Sequence, residues 1–166
     1  MMNDEILRIN GFEIVEDGFD QDKNKYYEGI FTQGNGYFHV RGSFEEGLAD
    51  APQNEVYTRT MKSVTTEQQR HPLSKQGTFL PLMMGKHPFL EEVIINLPYF
   101  MRIEIAAGNE KLDMIRSDIR DYRRVLNMKT GELTRSFTWI TASGEEIDVK
   151  FSRFASLDEK RLFVQQ

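Results

Sequence analysis

Paired carboxylates are the residues in this 166-residue sequence whose type and spacing could do chemistry. Two carboxyl groups that flank a sugar linkage can divide the acid and base roles in its cleavage. Adjacent residues of a strand point to opposite faces, however, so two neighbours on a strand cannot both reach one bond. Three pairs of adjacent glutamates are the candidates, which are Glu45-Glu46, Glu91-Glu92 and Glu145-Glu146.

The pair Glu45-Glu46 differs from the others because Gly42 and Gly47 bracket it and let the backbone bend. Arg41 precedes it and offers a nearby cation. Structural ion pairs are common, so a salt-bridged turn is the favoured interpretation over a functional one. The third pair, which ends at Glu146, is predicted to lie at a hairpin tip, where a solvated turn explains it.

Other catalytic patterns are missing from the sequence. It has no cysteine, which excludes disulfides, thiol nucleophiles and zinc-thiolate sites, and it has no Gly-x-Ser-x-Gly pattern for a serine nucleophile. His39, His71 and His87 lack the spacing of metal ligands, so we expect no metal site. The run Gly34-Asn35-Gly36 is followed by neither a predicted helix nor a Lys-Ser or Lys-Thr pair, which favours a hairpin turn over a phosphate-binding loop.

Aromatic residues are concentrated in one early segment of the chain. Flat rings can stack on sugars, but rings on alternating strands are more often buried in the core. Both interpretations stay open from the sequence alone. The rings belong to Tyr26, Tyr27, Phe31, Tyr37 and Phe38.

The elements that must position these residues are predicted to be strands. Glycine and asparagine turns separate short segments rich in aromatic and β-branched residues, and Phe100 to Ile105 alternates between apolar and polar faces. A strand, turn and strand are predicted over Tyr26 to Val40. Ser117 to Met128 has partly helical spacing but is assigned by its context to a strand, or at most to a short helical turn. Further strands are predicted at Phe12–Glu16, Gly77–Met84, Leu90–Ile95, Lys111–Met114, Leu133–Thr141, Glu146–Phe154 and Arg161–Val164.

This spacing predicts an all-β fold, an antiparallel sandwich or barrel, in one domain over residues 1–166. The polar stretch Asp50 to Gln76 is predicted to be a long loop that either reaches toward another domain or partner or is disordered. Because Arg161 to Val164 starts a strand just before Gln166, we expect the natural domain to continue beyond that residue.

Composition and charge indicate which partners and which cellular location to expect. The net charge is −5 and the basic residues are dispersed, so we expect no nucleic-acid partner. The first ten residues lack the basic and apolar regions of a signal peptide, and no apolar stretch approaches the roughly 20 residues of a membrane helix. Together with the absence of cysteine, these features predict a cytoplasmic protein without a membrane partner.

Several motifs occur in the order typical of one family. The early ones are Gly34-Asn35-Gly36-Tyr37, Arg41-Gly42 and Phe44-Glu45-Glu46-Gly47. The later ones are Gly77-Thr78-Phe79, Asn96-Leu97-Pro98, Tyr122 to Met128, Gly131 to Arg135, and Arg153-Phe154-Ala155-Ser156. From about residue 12 onward the chain thus resembles the amino-terminal domain of glycoside hydrolase family 65, the family of maltose, trehalose, kojibiose and nigerose phosphorylases.

This resemblance implies a β-sandwich of the super-sandwich, galactose-mutarotase-like type, followed in the parent enzyme by an (α/α)6 barrel that is absent from this chain. It implies that the barrel holds the catalytic acid and binds the disaccharide, that inorganic phosphate is a co-substrate, that no cofactor is needed, and that the full enzyme is a homodimer. No residue of this chain is then catalytic. The candidates for a motif that supports the active site or an interface are Asn35, Arg41, Glu45 and Glu46. The alternatives are a free-standing carbohydrate-binding module and the same domain of a hydrolase similar to acid trehalase.

Overall fold

The computed structural model describes residues 6–48, 74, 76–86 and 92–166 of the chain. These residues form one short helix, α1 (Asn24–Ile30), and a series of strands. In chain order the strands are β1 (Leu7–Asn10), β2 (Glu13–Asp17), β3 (Gln33–Gly34), β4 (His39–Val40), β5 (Thr78–Gly85), β6 (Val93–Asn96), β7 (Ala106–Ala107), β8 (Glu110–Lys111), β9 (Asp118–Asn127), β10 (Glu132–Ile140), β11 (Glu146–Ala155) and β12 (Phe163–Gln165).

The main sheet has six antiparallel strands in the order β1-β2-β9-β10-β11-β12. A four-stranded sheet has the order β3-β4-β5-β6, and β7 pairs with β8 alone. The predicted all-β antiparallel class is therefore confirmed, and the arrangement fits a sandwich. No helix among the described residues has the length and apolar character needed to cross a membrane.

The hairpin of β10 and β11 lies within the main sheet and confirms the predicted pair of strands. Alternate residues of β10 are buried, and the partner strand alternates in phase with them. The turn between the two strands contains Gly144, whose φ of +83° is accessible to glycine without steric cost. Period-two burial on both strands explains why the sequence pattern identified this hairpin.

A β-bulge in β9 explains why its sequence has partly helical spacing. Pairing with β10 shifts between Ser136 and Thr138, so Asp121 and Tyr122 lie opposite a single residue of the partner strand. Asp121 has a φ of +52°, a conformation that aspartate tolerates better than most residues. Tyr122 and Ile119 consequently contact the same core although they are three residues apart. The strand assignment is confirmed.

The first strand predicted over Tyr26 to Val40 is wrong, because its beginning forms α1. Asn24, Tyr27, Glu28 and Phe31 are buried at three- and four-residue steps, which is the helical period. Two of these four residues are polar, so the apolar residues alone did not show the period. The second half of the prediction is confirmed, since β3 and β4 pair through the turn at residues 34–38.

Helix α1 and two extended segments cover the inner face of the main sheet. Tyr27 and Phe31 of the helix pack against Leu126 and Leu133 of β9 and β10. A second cluster joins Val40 of the four-stranded sheet to Ala155 of β11 and Phe163 of β12, which are partly buried. The largest cluster lies under residues 44–48 and 103–115, and its buried members are Phe44, Leu48, Leu112, Met114, Tyr122, Phe137, Trp139, Val149 and Phe151.

Residues Phe100 to Ile105 alternate in burial as predicted, but they form no continuous ladder. Met101 is buried, and Arg102 and Glu104 are exposed. The backbone N–H of Ile103 donates to the Glu45 carbonyl, so this segment bonds to a loop instead of a strand. The strands predicted over Gly77–Met84, Leu90–Ile95 and Arg161–Val164 are confirmed by β5, β6 and β12. The long loop predicted from Asp50 to Gln76 lies almost entirely outside the described residues.

Candidate functional site

Three arginines lie side by side on the inner face of the main sheet. Arg124 is on β9, Arg135 on β10 and Arg153 on β11, and each side chain is at most 3% exposed. Arg124 pairs in register with Arg135 on one side and with Glu16 of β2 on the other. Arg153 lies opposite Leu133, two residues from Arg135. The regular sheet therefore places three guanidinium groups against the same overlying segment.

The overlying segment is residues 41–47, and its two glutamates bind these arginines. Glu45 accepts from Arg135 Nη2 at 2.9 Å and from Arg153 Nη1 at 2.9 Å, so one carboxylate bridges two strands. Glu46 accepts from Arg135 Nη1 at 2.7 Å and, at a shorter contact, from Arg135 Nη2. The salt-bridged turn favoured from the sequence is therefore present, although its arginines come from the sheet.

Backbone carbonyl groups of the same segment accept further bonds from the arginines. Arg124 Nη1 donates to the Gly42 carbonyl at 2.8 Å, and Arg153 Nη1 donates to the Ser43 carbonyl at 3.0 Å. Arg124 Nε also donates to Glu16 Oε2 at 2.6 Å. The arginines thus hold the course of the backbone as well as its side chains.

The Phe44 ring lies between two of the guanidinium groups. Its centroid is 4.3 Å from Arg135 Cζ and 5.2 Å from Arg124 Cζ. Arg124 also lies 4.4 Å from the Phe31 ring of α1, and Arg135 lies 4.6 Å from the Phe151 ring. Ring faces attract cations, and this attraction is stronger when water is excluded.

We name this set the arginine cluster: Arg124, Arg135 and Arg153 with Glu16, Glu45 and Glu46. Its three positive and three negative groups balance when all are ionised. Burial raises the pKa of Glu16, and the adjacent Arg124 guanidinium opposes that shift. Burial alone would lower the pKa of Arg135, but Glu46 and Glu45 raise it above the usual arginine range. For Arg153, burial lowers the pKa and Glu45 only partly compensates.

The sequence suggested Arg41 as a partner for Glu45-Glu46. In the structure Arg41 contacts Glu28 of α1, whereas Glu45 and Glu46 contact arginines of the main sheet. Arg41 Nη2 is 3.8 Å from Glu28 Oε2 and donates to the Lys25 carbonyl at 2.9 Å. Glu28 is fully buried and also accepts from Asn24 Nδ2 at 3.3 Å and, at a short contact, from the hydroxyl of Ser74. Arg41 therefore fixes the start of segment 41–47 against α1.

Asn35 lies in the hairpin turn and makes contacts outside the arginine cluster. Its Oδ1 accepts from the backbone N–H groups of Tyr37 and Phe38 at 3.1 and 3.2 Å. Its Nδ2 donates to the carbonyls of Ser156 and Lys160 at 2.6 and 2.9 Å. The hairpin-turn interpretation of residues 34–36 is confirmed, and Asn35 additionally attaches that turn to the loop before β12.

The remaining candidates from the sequence are spread over the structure. Glu145 and Glu146 are exposed at the hairpin tip, which confirms the solvated turn, whereas Glu91 lies outside the described residues. Among the aromatic candidates, those that are buried are Tyr27, Phe31 and Phe38, and those that are exposed are Tyr26 and Tyr37. His39 is exposed, and His71 and His87 lie outside the described residues.

The geometry of the arginine cluster suits it to holding the fold and not to cleaving a glycosidic bond. The Glu45 and Glu46 carboxylates are occupied by guanidinium groups and are almost inaccessible to solvent. A cavity among Gly42, Phe44, Glu45 and the three arginines measures about 10 Å³, which is far too small for a sugar ring. Two carboxyl groups of a glycosidase must instead lie on either side of the substrate.

Sequence reasoning missed the arginines although a signal for them existed. On β10 the buried positions are Leu133, Arg135, Phe137 and Trp139, so the arginine lies in the apolar phase of the strand. Arg153 follows the buried residues Val149 and Phe151 in the same way on β11. A charged residue in an apolar phase indicates a buried partner of opposite charge, because an unpaired buried charge is too costly. Nothing local in the sequence identifies Glu45 as that partner.

Comparisons with known proteins agree on one family. The family described as "Glycosyl hydrolase family 65, N-terminal domain" matches residues 14–166. An alpha,alpha-trehalose phosphorylase of Thermoanaerobacter brockii is 29% identical over 158 residues, which cover 95% of this chain and 19% of that protein. A maltose phosphorylase of Bacillus subtilis (strain 168) is 28% identical over 162 residues, which cover 98% of this chain and 20% of that protein.

A solved structure supports the same fold. It is described as a candidate kojibiose phosphorylase from human microbiome, and it matches with a TM-score of 0.73 and 24% identity. The match covers 96% of this chain and 20% of that chain. The present chain thus spans about a fifth of the length of the relatives it matches.

Proposed function

Since the chain belongs to the family of glycosyl hydrolase family 65 N-terminal domains, we propose that it is the non-catalytic amino-terminal domain of a disaccharide phosphorylase. The relatives named above are phosphorylases of trehalose and maltose, and this chain spans about a fifth of each. The proposed substrates of the whole protein are α-linked glucose disaccharides. Its proposed location is the cytoplasm, which suits a chain without cysteine.

The observation that carries the proposal is that the carboxylates that could have been catalytic are buried in ion pairs. Glu45 and Glu46 are the adjacent pair that the fold buries, and both are engaged by Arg135. Removing either from its arginine would leave a buried charge without a partner, so the pair is poorly suited to proton transfer. In this proposal the acid that protonates the leaving sugar lies in sequence outside this chain.

The proposed reaction of the parent enzyme needs inorganic phosphate and no cofactor. A phosphate oxygen attacks the anomeric carbon on the face opposite the leaving sugar, and the acid protonates the glycosidic oxygen as its bond to that carbon breaks. The products are β-glucose 1-phosphate and a free sugar. The role proposed for this domain is to support the active site and the dimer of the full enzyme, with the arginine cluster keeping segment 41–47 in place.

The test compares the full-length gene product with the 166-residue chain. Maltose, trehalose and kojibiose are supplied with and without phosphate, and glucose 1-phosphate and glucose are both measured. We expect phosphate-dependent release of β-glucose 1-phosphate by the full-length protein and none by the chain alone. Turnover by the chain alone would overturn the non-catalytic role, and glucose release without phosphate would identify a hydrolase similar to acid trehalase.

Two exposed tyrosines favour a second candidate function, which is sugar binding by the chain itself. Tyr26 is 68% exposed and Tyr37 is 43% exposed, and a flat exposed ring can stack on the apolar face of a sugar. Calorimetric titration of the chain with glucose, maltose and trehalose tests this candidate. A saturable heat that is lost in Tyr26→Ala or Tyr37→Ala would support a carbohydrate-binding module, and the absence of heat with every sugar would reject it.

A further inference from the structure

The arginine cluster contains donors that no atom of the described residues satisfies. Arg124 Nη2, Arg135 Nε and Arg153 Nε are buried and have no hydrogen-bond partner in the part of the chain that the structure describes. Buried polar groups in folded proteins are nearly always bonded to protein or to ordered water. Three such donors on adjacent strands of one sheet therefore call for acceptors that the described protein atoms do not supply.

One small cavity adjoins all three of the arginines that carry these donors. Its lining is Gly42, Ser43, Phe44, Glu45, Arg124, Leu133, Arg135 and Arg153, and its volume is about 10 Å³. A cavity of this size holds about one water molecule when two to four polar partners surround it. The lining provides unpaired N–H donors from the guanidinium groups and an acceptor in the Glu45 carboxylate.

We propose that this cavity binds a single long-lived water molecule that accepts from the Nε–H groups of Arg135 and Arg153 and donates to Glu45. Charge selects water over an anion of similar size. The arginine cluster holds three guanidinium groups and three carboxylates, so it is balanced without a bound ion. A chloride ion would add an unpaired negative charge at a buried position, which is strongly unfavourable.

The bound water completes the attachment of segment 41–47 to the main sheet. Arg135 and Arg153 each bind Glu45 through a terminal nitrogen and keep a second donor unused. A water shared between them joins the two strands and the glutamate in one network. Such networks specify a unique geometry when every member is satisfied.

The experiment is a water-selective NOE and ROE measurement on the ¹⁵N-labelled chain. The Hε protons of Arg135 and Arg153 are expected to show cross-peaks to water with opposite NOE and ROE signs, which identifies water that stays for longer than nanoseconds. The backbone N–H of Leu112 is the control, because Leu112 is buried, does not line the cavity, and its N–H donates to the Ile105 carbonyl at 3.0 Å. It is expected to show no such cross-peak.

Two further measurements separate the proposal from its alternatives. Ser43 lines the cavity, and exchange through its hydroxyl could imitate a water signal, so the arginine cross-peaks must persist in Ser43→Ala. Crystals grown in sodium bromide are expected to show no anomalous peak in the cavity. Absent cross-peaks at Arg135 and Arg153, their loss in Ser43→Ala, an equal cross-peak at the Leu112 N–H, or a bromide peak would each overturn the proposal.

Discussion

Replacing the Glu45 carboxylate by an amide, in the variant Glu45→Gln, places a donor group against a guanidinium inside the protein. Glu45 accepts from Arg135 and from Arg153 at 2.9 Å each, and its side chain is 4% exposed. The amide keeps the shape and one acceptor oxygen, but its nitrogen meets the other arginine donor to donor. Arg153 loses the carboxylate that partly offsets the lowering of its pKa by burial.

The expected loss of unfolding free energy is about 3–5 kcal/mol, which is the usual cost of removing one partner from a buried ion pair. Domains of this kind are stable by only about 5–15 kcal/mol, so the variant should lose a large share of its stability. With a urea dependence of about 2 kcal/mol per molar, the unfolding midpoint should fall by roughly 2 M.

Urea is the suitable denaturant because it is uncharged and does not screen ion pairs. Trp139 is the single tryptophan of the chain and is fully buried in the main core, so its fluorescence reports unfolding. The matched control is Asp17→Asn, which removes a carboxylate that pairs with Arg8 where both side chains are at least 42% exposed. Its loss should stay below about 1 kcal/mol. Equal midpoints for the two variants would refute the structural role of Glu45.

Three further predictions concern the surroundings of the arginine cluster and the turn between β3 and β4. Gly42→Ala should cost about 1–3 kcal/mol in urea unfolding, because a Cβ there would lie 2.6 Å from Phe31 Cβ, just after α1. In Gly29→Ala the nearest neighbour of the new Cβ would be Arg41 Nη1 at 3.7 Å, an ordinary contact, so this variant should be neutral or stabilising; equal effects would contradict this. Burial raises the pKa of the Tyr122 phenol, so the folded state holds that proton more tightly than the unfolded state does. The free energy of unfolding should therefore be unaffected by this group below about pH 10 and should fall as the pH rises above it. An alkaline unfolding midpoint that is unchanged in Tyr122→Phe would argue against this. Asn35→Ala should cost about 1–3 kcal/mol and speed hydrogen exchange near Lys160, to whose carbonyl Asn35 donates; unchanged exchange there would exclude the connection.

The strands of the main sheet were largely predictable because their burial follows the period of two. The β10 and β11 hairpin is the clearest case, with alternate buried residues on both strands. Helix α1 was not predictable from apolar spacing because Asn24 and Glu28 occupy two of its three buried positions. Their burial depends on partners such as Ser74, which lies 46 residues away from Glu28.

The arginine cluster was predictable only in part, because its ion pairs also join residues that are far apart in the sequence. The sequence identified Glu45-Glu46 as an unusual pair with a nearby cation, and the ion-paired turn is present. The cations are Arg135 and Arg153, which are 90 and 108 residues from Glu45. Local spacing carries no information about contacts at that separation, so only the fold could select them over Arg41.

The most direct test is the rate of the proposed phosphorolysis by the full-length protein carrying Glu45→Gln, measured as a turnover number at a temperature where the variant remains folded. If Glu45 only holds segment 41–47, the thermal midpoint should fall while the turnover number stays within about tenfold of the unmodified enzyme. General acid–base groups contribute about 10²–10⁴-fold to rate. A loss of that size with an unchanged thermal midpoint would show that this domain supplies a catalytic group, and would contradict the account.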